Sequence, residues 1–288
     1  MSSSMGSFTA GQVEYLVVPD GTLGYEPESL YSDLPEDAAA EVNALADDRG
    51  LITVPYNPVL IRTAEGLALL DCGAGVALAA EWGAQAGRLL GALAAVGVAA
   101  DDIRLVVISH AHADHIGGLT DGDGANRRLL FRSARHVMAR AEFDYWTSGQ
   151  GSAHVWMSDL ARLHLLPVER AGMLDLVAGE QDVAPGVRVI PAPGHTPGHM
   201  VVSISAATQQ ALFLADAVLG EPNFRHPDWT SELDIDRPAA VRTRRSLLEA
   251  AVNNGALVFG YHLWGPGIVQ RDAGAYRWSP AGQAPAAM

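Results

Sequence analysis

The feature that most restricts how this chain can fold is the segment "VVISHAHADHIGG" at residues 106–118. Its first residues are apolar and mostly β-branched, which predicts a buried strand, and a polar cluster begins where that strand ends. His110 and His112 stand two positions apart, so in extended backbone their side chains point the same way. Asp114 and His115 follow in the turn. Imidazole and carboxylate groups gathered on one short loop are typical of a transition-metal site.

Three further polar residues stand alone at the ends of apolar strands. His195 lies in the Gly/Pro loop of "PAPGHTPGH", Asp216 ends "ALFLAD", and His262 ends "ALVFGYH". Loops at strand ends hold functional side chains on a rigid scaffold, so these residues are candidates to complete the site. The groups of the first cluster are too many for one metal ion, and two ions would use them together with these strand-end ligands.

Hydrophobic periodicity predicts the order of strands and helices. Strands are predicted at "VEYLVVP" (13–19), 57–63, 66–73, 103–109, 187–195, 200–205, 211–216 and 256–262, the last of which is expected to be the final strand. Helices are predicted at 36–49, at 77–97 with glycine breaks, at 152–166 ending at Pro167, and from Asp236 to Asn254-Gly255. Residues 135–148 are predicted to form a strand and then a short helix.

The domain organisation follows from the same pass along the chain. No composition shift or long linker divides the sequence. Strands followed by helices in both halves predict a single domain over residues 1-288, with sheets inside and helices outside. The two ends, about 1-10 and 280-288, are expected to be flexible.

Composition and charge narrow the class of partner. The formal net charge of −14 opposes binding to nucleic acid or to an anionic membrane surface, and the "RTRR" run at 242–245 is interpreted as a solvated helix face. The sequence has no apolar run long enough to span a membrane, and its first residues lack the pattern of a signal peptide. The single cysteine, Cys72, fits a reducing compartment, so a cytoplasmic protein is expected.

The polar motifs together resemble those of the metallo-β-lactamase superfamily. The shared pattern is "HAHADH", then "GHTPGH", then a strand-terminal Asp and a strand-terminal His, preceded by "LLDCG" at 69–73. The matches run from about residue 52 to residue 262, which is most of the chain. The resemblance implies an α/β fold, a four-layer αβ/βα sandwich with a dinuclear metal site on its edge.

The same resemblance implies a role for each polar residue. The first metal would be held by His110, His112 and His195, the second by Asp114, His115 and His262, and Asp216 would bridge the two. Asp71 of "LLDCG" would orient the site rather than bind a metal. Two divalent ions are implied, zinc by default, although manganese, iron or cobalt would accept the same ligands. A hydroxide bridging the two metals would attack a carbonyl or phosphoryl centre, with Asp114 and Asp216 as the catalytic carboxylates.

Shorter motifs indicate a branch of the superfamily. The stretches "AEFDYWTS", "RHPDW" and "PGIVQRDAGAYRW" resemble the methyl parathion hydrolase-like branch, which hydrolyses lactones, aryl esters and some organophosphates. Many acyl-homoserine lactonases carry a tyrosine three residues after the bridging aspartate, and this chain departs from them with Leu219. A lactone or ester hydrolase is therefore favoured. A phosphotriesterase-like hydrolase and a non-catalytic or biosynthetic metal-binding member are the alternatives left open.

Several residues are candidates to contact a small ester or lactone substrate. Aromatic residues between the histidine cluster and His195 fall where the resemblance places the pocket wall, and they would clamp an apolar or aromatic group, although helix packing explains them equally well. The candidate substrate-binding residues are Phe143, Trp146, Leu219, His226 and Trp264, with Tyr145 and Trp156 beside them in the aromatic group. Association into a homodimer is left open.

Overall fold

Two seven-stranded sheets lie at the centre of the molecule. The computed structural model describes residues 7–10, 13–205 and 210–281. In chain order the strands are β1 (Ser7–Ala10), β2 (Val13–Val17), β3 (Gly21–Tyr25), β4 (Ile52–Tyr56), β5 (Val59–Thr63), β6 (Gly66–Leu70), β7 (Ile103–Val107), β8 (Thr120–Asp121), β9 (Arg128–Leu129), β10 (Arg135–Ala139), β11 (Leu174–Val177), β12 (Gln181–Ala184), β13 (Val187–Pro191), β14 (Met200–Ser205), β15 (Gln210–Phe213), β16 (Leu257–Phe259), β17 (Gly267–Asp272) and β18 (Ala275–Pro280). The first sheet has the order β1-β2-β5-β6-β7-β10-β11 and the second the order β12-β13-β14-β15-β16-β17-β18, while β3–β4 and β8–β9 form two-stranded ribbons.

The helices connect the strands. They are α1 (Pro27–Leu30), α2 (Glu36–Asn43), α3 (Gly75–Trp82), α4 (Leu89–Ala95), α5 (Ala113–Ile116), α6 (Arg140–Thr147), α7 (Val155–Arg170), α8 (Pro222–Arg225) and α9 (Arg237–Asn254). Helix α9 begins and ends where the sequence predicts. The Asp236 side chain accepts a hydrogen bond from the backbone N–H of Ala239, and Gly255 ends the helix in the left-handed conformation that glycine adopts without strain.

Alternating side chains divide the apolar core into three layers. Val107 of the first sheet and Phe213 of the second belong to the middle layer, which lies between the sheets. Their chain neighbours point to the opposite faces, since side chains alternate along a strand. Val106 packs in the layer shared with α4 and α7, and Leu212 packs in the layer shared with α9. The predicted order of helix, sheet, sheet and helix is confirmed.

Parallel strand pairs bring the polar loops to one edge of the sandwich. In the first sheet β6, β7 and β10 run parallel, so the loops carrying Asp71 and His110 leave the sheet on the same side. In the second sheet β15 and β16 run parallel, and Asp216 and His262 follow them in the same way. The fold therefore gathers residues from distant parts of the sequence at a single edge.

Helix α7 corrects the prediction that it ends at Pro167. The helix runs through Pro167 to Arg170. Proline removes the backbone hydrogen bond to the carbonyl four residues earlier, which belongs to Leu163. The Leu163 side chain is 41% exposed, so this position lies on the solvent side of the helix, where water can replace the lost bond.

Two strands follow the segment that was expected to be the last. Strands β17 and β18 pair in antiparallel register and complete the second sheet. Ala273 and Gly274 join them, both with positive φ, as a two-residue hairpin turn of this kind requires. This hairpin lies at the edge of the sheet, and many of its side chains are charged or polar. The alternation of apolar and polar residues is therefore too weak to predict the two strands from the sequence.

Other sequence expectations need smaller corrections. The segment predicted as one helix at 77–97 contains two helices, α3 and α4, separated by residues 83–88. The flexible start was expected to reach residue 10, but Ser7–Ala10 pair with β2, and residues 1–6 and 282–288 lie outside the described residues. Arg244 of the "RTRR" run is buried rather than solvated. In the described part of the chain, no helix is long and apolar enough to cross a membrane.

Candidate metal centre

His110 lies three residues after the end of β7, and the short helix α5 begins three residues later at Ala113. His112 is the last extended residue before α5, with φ −68° and ψ 150°, and Asp114 and His115 lie inside the helix. This change from extended to helical backbone lets the loop present side chains from two directions. The His110 and His115 rings consequently approach within 4.1 Å, measured between centroids, and both are fully buried.

Seven buried side chains form two adjoining groups of potential metal ligands. One nitrogen or carboxylate oxygen from each member lies within 4.8 Å of those of the others in its group. The first group is His110, His112, His195 and Asp216, and the second is Asp114, His115 and His262. The structure thus brings together all the residues that the sequence predicts as metal ligands.

Asp216 lies between the two groups. Its Oδ1 is 3.2 Å from Nε2 of His115, and its Oδ2 is 3.2 Å from Nε2 of His262, so it reaches the second group with both oxygens. The same Oδ2 lies 3.4 Å from Nε2 of His195 and 3.8 Å from Nε2 of His110 in the first group. A carboxylate in this position can contribute one oxygen to each of two ions.

Buried carboxylates orient two of the ligand histidines. Asp71 accepts a hydrogen bond from Nδ1 of His115 at 2.7 Å and another from the Ser109 backbone N–H. Asp234 accepts one from Nδ1 of His195 at 2.9 Å. A histidine that donates through Nδ1 carries its lone pair on Nε2, which here faces the cluster. The predicted position of Asp71 beside a ligand, outside the cluster itself, agrees with this geometry.

Oxygen atoms of Ser109 and of the backbone fix two more rings. Nδ1 of His110 lies 3.0 Å from Oγ of Ser109, and Nδ1 of His262 donates to the carbonyl of Pro55 at 3.0 Å. These rings also leave Nε2 facing the cluster. His112 differs, because its Nδ1 is the nitrogen that faces the site, 3.0 Å from Nε2 of His195.

Glu142 joins the two histidine loops and was missed by sequence reasoning. Its Oε1 accepts hydrogen bonds from the Ala111 backbone N–H at 2.9 Å and from the Trp146 indole at 2.8 Å. Its Oε2 accepts one from the Gly198 backbone N–H at 2.9 Å. A side chain at position 198 would collide with the Glu142 backbone, so the loop needs glycine at this close approach.

Burial and neighbouring charges set opposite protonation preferences within the cluster. Burial lowers the pKa of His110 and His112 well below the ordinary histidine value, so both rings favour the neutral form that binds metal. Burial also opposes charge on Asp216, but His262 and His115 outweigh it and hold the pKa of this carboxyl well below its usual range. Asp216 is therefore an ionised carboxylate.

Unpaired buried atoms show that the cluster fits metal ions. Among the described residues, Nε2 of His110 and of His115 and Oδ1 of Asp216 have no hydrogen-bond partner. Leaving such an atom buried and unpaired costs about 1–3 kcal/mol, more for a charged group. Divalent cations would satisfy these atoms, and imidazole with carboxylate is a donor set that zinc accepts.

Comparison with known proteins identifies the family. The model of the metallo-beta-lactamase superfamily matches residues 51–262. The chain belongs to this superfamily. It is 24% identical over 239 residues to N-acyl homoserine lactonase AiiA of Bacillus thuringiensis subsp. kurstaki, an alignment that covers 77% of this chain and 87% of that one.

Solved structures agree with the family. AidC, a dizinc quorum-quenching lactonase in complex with its product, superimposes with a TM-score of 0.85 and 26% identity, covering 98% of this chain and 99% of its own. The hydrolase AbOPH gives a TM-score of 0.86 at 24% identity, covering 99% and 100%. The predicted superfamily and fold are confirmed, and so is the prediction of a metal-dependent hydrolase.

A cavity of about 260 Å³ opens onto the superfamily's metal-binding edge. Its floor contains His112, Asp114, Asp216 and His262. Its walls are formed mainly by apolar side chains, Leu23, Leu30, Trp82, Trp156, Met157, Leu219 and Leu233, with Tyr25 among them. Among the described residues that line it, none is an arginine, and the carboxylates are those of Asp114 and Asp216 at the floor.

The structure separates the predicted substrate-binding residues. Leu219 lines this cavity and also a neighbouring one of about 520 Å³, which Trp264 lines as well. Phe143, Trp146 and His226 line neither of these two cavities. His226 instead stacks on a tryptophan ring 3.9 Å away, with its Nε2 3.2 Å from a carboxylate oxygen of Glu41.

Trp146 packs beneath the site. It is 1% exposed, and its ring meets the edge of His112 at a centroid distance of 5.8 Å. The prediction that it contacts substrate is corrected, because the ring is buried in the core and also packs against Tyr145 and His154. Trp156 takes the role expected of an aromatic wall, since it is 47% exposed and packs against Trp82 at the cavity.

Proposed function

We propose that this protein is a dinuclear metal-dependent hydrolase that opens lactones or cleaves esters of small, uncharged molecules. The observation that carries the proposal is the position of Asp216. Its carboxylate joins the two ligand groups and lies at the floor of the cavity with apolar walls. A substrate held by those walls would present its ester group to both metal positions at once.

Each ligand group would hold one ion, and zinc is the proposed metal. Two such ions, when bound, lower the pKa of a water molecule to near neutrality and polarise a substrate carbonyl. The chain's contribution is to fix the geometry. Asp71 and Asp234 hold the His115 and His195 rings in place, so the ligands need little rearrangement when the ions bind.

Asp114 is the proposed proton carrier. Its Oδ2 lies 3.5 Å from Nε2 of His115 and 3.6 Å from Nε2 of His262, and the residue lines the cavity. A carboxylate in the cavity lining is placed to accept a proton as the attack begins and to return it to the leaving oxygen.

The substrate class is supported by the relatives and by the cavity. AiiA and AidC are lactonases, and AidC was solved with a hydrolysed N-acyl homoserine lactone. A lactone with an acyl chain is uncharged and largely apolar. That matches a cavity whose wall includes Leu219, Trp156 and Met157, with no arginine among its described lining residues.

The test is hydrolysis by zinc-loaded protein of an N-acyl homoserine lactone, an aryl ester and a phosphotriester. We expect turnover of the lactone and the ester, lost with a chelator and restored by zinc. The matched variants are Asp216→Ala, which should be inactive, and Asp228→Ala at an exposed carboxylate paired with Arg245, which should match the wild type. Absence of lactone and ester turnover by protein carrying two zinc ions would refute the proposal.

Phosphotriester hydrolysis is the second candidate. The lack of arginine among the described residues of the cavity fits a neutral triester as well as a lactone. The same assay ranks the two. A kcat/KM for the phosphotriester above that for lactones would make it the principal activity.

A further inference from the structure

Tyr25 is the one hydroxyl-bearing side chain among the described residues that line the cavity over the metal-binding groups. It ends strand β3, a short strand outside the two main sheets, and it is half-buried. It shares the cavity lining with Asp114, Asp216 and His262. The other wall residues are apolar, so a substrate oxygen that pointed away from the metal positions would meet few neutral donors besides this hydroxyl.

Tyr56 holds the Tyr25 hydroxyl in place. The two phenolic oxygens are 2.6 Å apart, a short hydrogen bond. Tyr56 itself is fully buried, with its ring edge-on to His262 at 5.5 Å and stacked on Tyr261 at 5.8 Å. These contacts hold the Tyr56 ring in place, so its hydroxyl has a fixed position from which to orient the Tyr25 hydroxyl.

Counting hydrogens shows that the tyrosine pair leaves one hydrogen for a ligand. A phenol has one hydrogen to donate, and a pair of hydroxyls uses only one of its two hydrogens in the bond between them. Tyr56 is buried away from the cavity lining, and the oxygen of Tyr25 is the acceptor within its reach. When Tyr56 donates to Tyr25, the Tyr25 hydrogen remains free on the cavity side.

Burial keeps that hydrogen in place. A phenol is protonated at neutral pH, and burial raises the pKa of the Tyr25 phenol well above its usual value. The phenol is therefore a hydrogen-bond donor at working pH and not a base.

We propose that Tyr25, positioned by Tyr56, donates a hydrogen bond to an oxygen of the reacting ester group. The inference rests on the proposed function and adds a substrate contact to it. Tyr25 is then a substrate-binding residue and Tyr56 a positioning residue. Negative charge builds on the ester oxygens during attack, so this hydrogen bond strengthens in the transition state and acts on kcat more than on KM.

The experiment compares Tyr25→Phe and Tyr56→Phe with the control Tyr15→Phe. Tyr15 is also fully buried, and its hydroxyl has no hydrogen-bond partner among the described residues. Each variant is loaded with zinc, its metal content is measured, and kcat and KM are determined on N-hexanoyl homoserine lactone. Binding of the product N-hexanoyl-homoserine is measured by calorimetry as a second readout that needs no turnover.

The expected result is a graded loss at constant metal content. Tyr25→Phe should lower kcat by about tenfold to 100-fold with KM changed less than threefold, and should weaken product binding by a few-fold. Tyr56→Phe should lower kcat by a smaller factor, since Tyr25 remains but is less well held. Tyr15→Phe should match the wild type in both readouts.

Two results would overturn the inference. One is Tyr25→Phe with wild-type kcat and wild-type product binding. The other is a loss of kcat in Tyr25→Phe that is accompanied by a loss of bound zinc or is matched by an equal loss in Tyr15→Phe. Either result would make the role of Tyr25 purely structural. If the wild type turns over no lactone, the proposed function fails, and product binding alone then decides whether Tyr25 contacts the ligand.

Discussion

Asp234 holds His195 through a 2.9 Å hydrogen bond between its Oδ1 and Nδ1 of the ring, and both side chains are buried. The other carboxylate oxygen accepts a hydrogen bond from the Ser231 backbone N–H and lies 3.9 Å from the buried guanidinium of Arg244. His195 therefore has its Nε2 directed at Asp216, 3.4 Å away. Asp234 thus orients a proposed metal ligand from outside the cluster.

Replacing Asp234 should weaken metal binding. We expect Asp234→Asn to reduce zinc affinity about 10-fold to 100-fold, because an amide no longer stabilises the His195 ring in its metal-binding orientation. The measurement is competition with a chromophoric chelator. Asp236→Asn is the matched control, since that residue caps α9 and asparagine caps equally well. Equal affinities for the Asp234 variant and the control would show that Asp234 does not position His195.

Two tryptophans should respond differently to truncation. Trp146 is fully buried and donates to Glu142, so Trp146→Ala should lower the free energy of unfolding by about 3–5 kcal/mol and affect all substrates alike. Trp156 is half-exposed at the cavity, so Trp156→Ala should leave the melting temperature nearly unchanged. It should raise KM several-fold for long-chain lactones and less for short ones.

Melting temperature and kinetics on a short and a long acyl chain measure both effects. A stability loss for Trp156→Ala as large as that for Trp146→Ala would contradict the assignment of Trp156 to the cavity wall. A KM change confined to long chains in Trp146→Ala would return that residue to the substrate-binding set.

Two buried histidines outside the metal centre should make the protein less stable in mild acid. Burial lowers the pKa of both His136 and His164 to about 4, whereas an unfolded histidine has a pKa near 6.5. Between those values the unfolded chain binds protons that the folded chain does not. Stability is therefore fully present above pH 6.5 and is lost as the pH falls towards 4.

The expected size is about 2 kcal/mol per histidine between pH 7 and pH 5, from 1.36 kcal/mol per pKa unit. Urea denaturation of the metal-free protein at the two pH values measures it. His136→Leu should lose less stability on acidification than the wild type, and His154→Gln at an exposed site should lose as much as the wild type. Identical pH dependence in all three proteins would refute the prediction.

The sequence predicted the ligand groups because each ligand is marked locally. His110 and Asp216 each follow a short, nearly continuous apolar run, which is typical of a strand buried on both faces. Parallel pairing then requires the loops at those strand ends to meet at one edge. The structure brings together the residues that the sequence predicts as ligands. Their binding of metal stays a prediction, and the zinc content of the protein tests it.

The residues that orient the ligands carry no such mark. Asp234 lies in "SELDID", just before a helix, where acidic residues are typical of helix capping, and Asp236 does cap α9. The hydrogen bond between Asp234 and His195 joins residues 39 positions apart and exists only in the folded chain. The sequence does contain a sign of the Glu142–Trp146 pair, because residues four apart on a helix such as α6 lie on the same face. A glutamate on the buried face of a helix needs hydrogen-bond partners.

The cavity wall was the least predictable part of the site. Its residues come from segments that lie far apart in the sequence, among them Tyr25 at the end of β3 and Trp82 at the end of α3. An aromatic residue that packs into the core and one that lines a pocket have the same spacing in an amphipathic helix, so the sequence does not distinguish them. Only tertiary packing separates Trp146 from Trp156.

Metal stoichiometry tests the proposal that Asp216 joins two metal ions. Elemental analysis of zinc-reconstituted protein should find two zinc ions per chain, one for each ligand group. Asp216→Ala should fold, as judged by its circular dichroism, and hold one ion or fewer, because in the described cluster the Asp216 carboxylate reaches both groups. One zinc ion or fewer in the reconstituted wild type, or two tightly held ions in the variant, would show that Asp216 does not join a pair of metal ions.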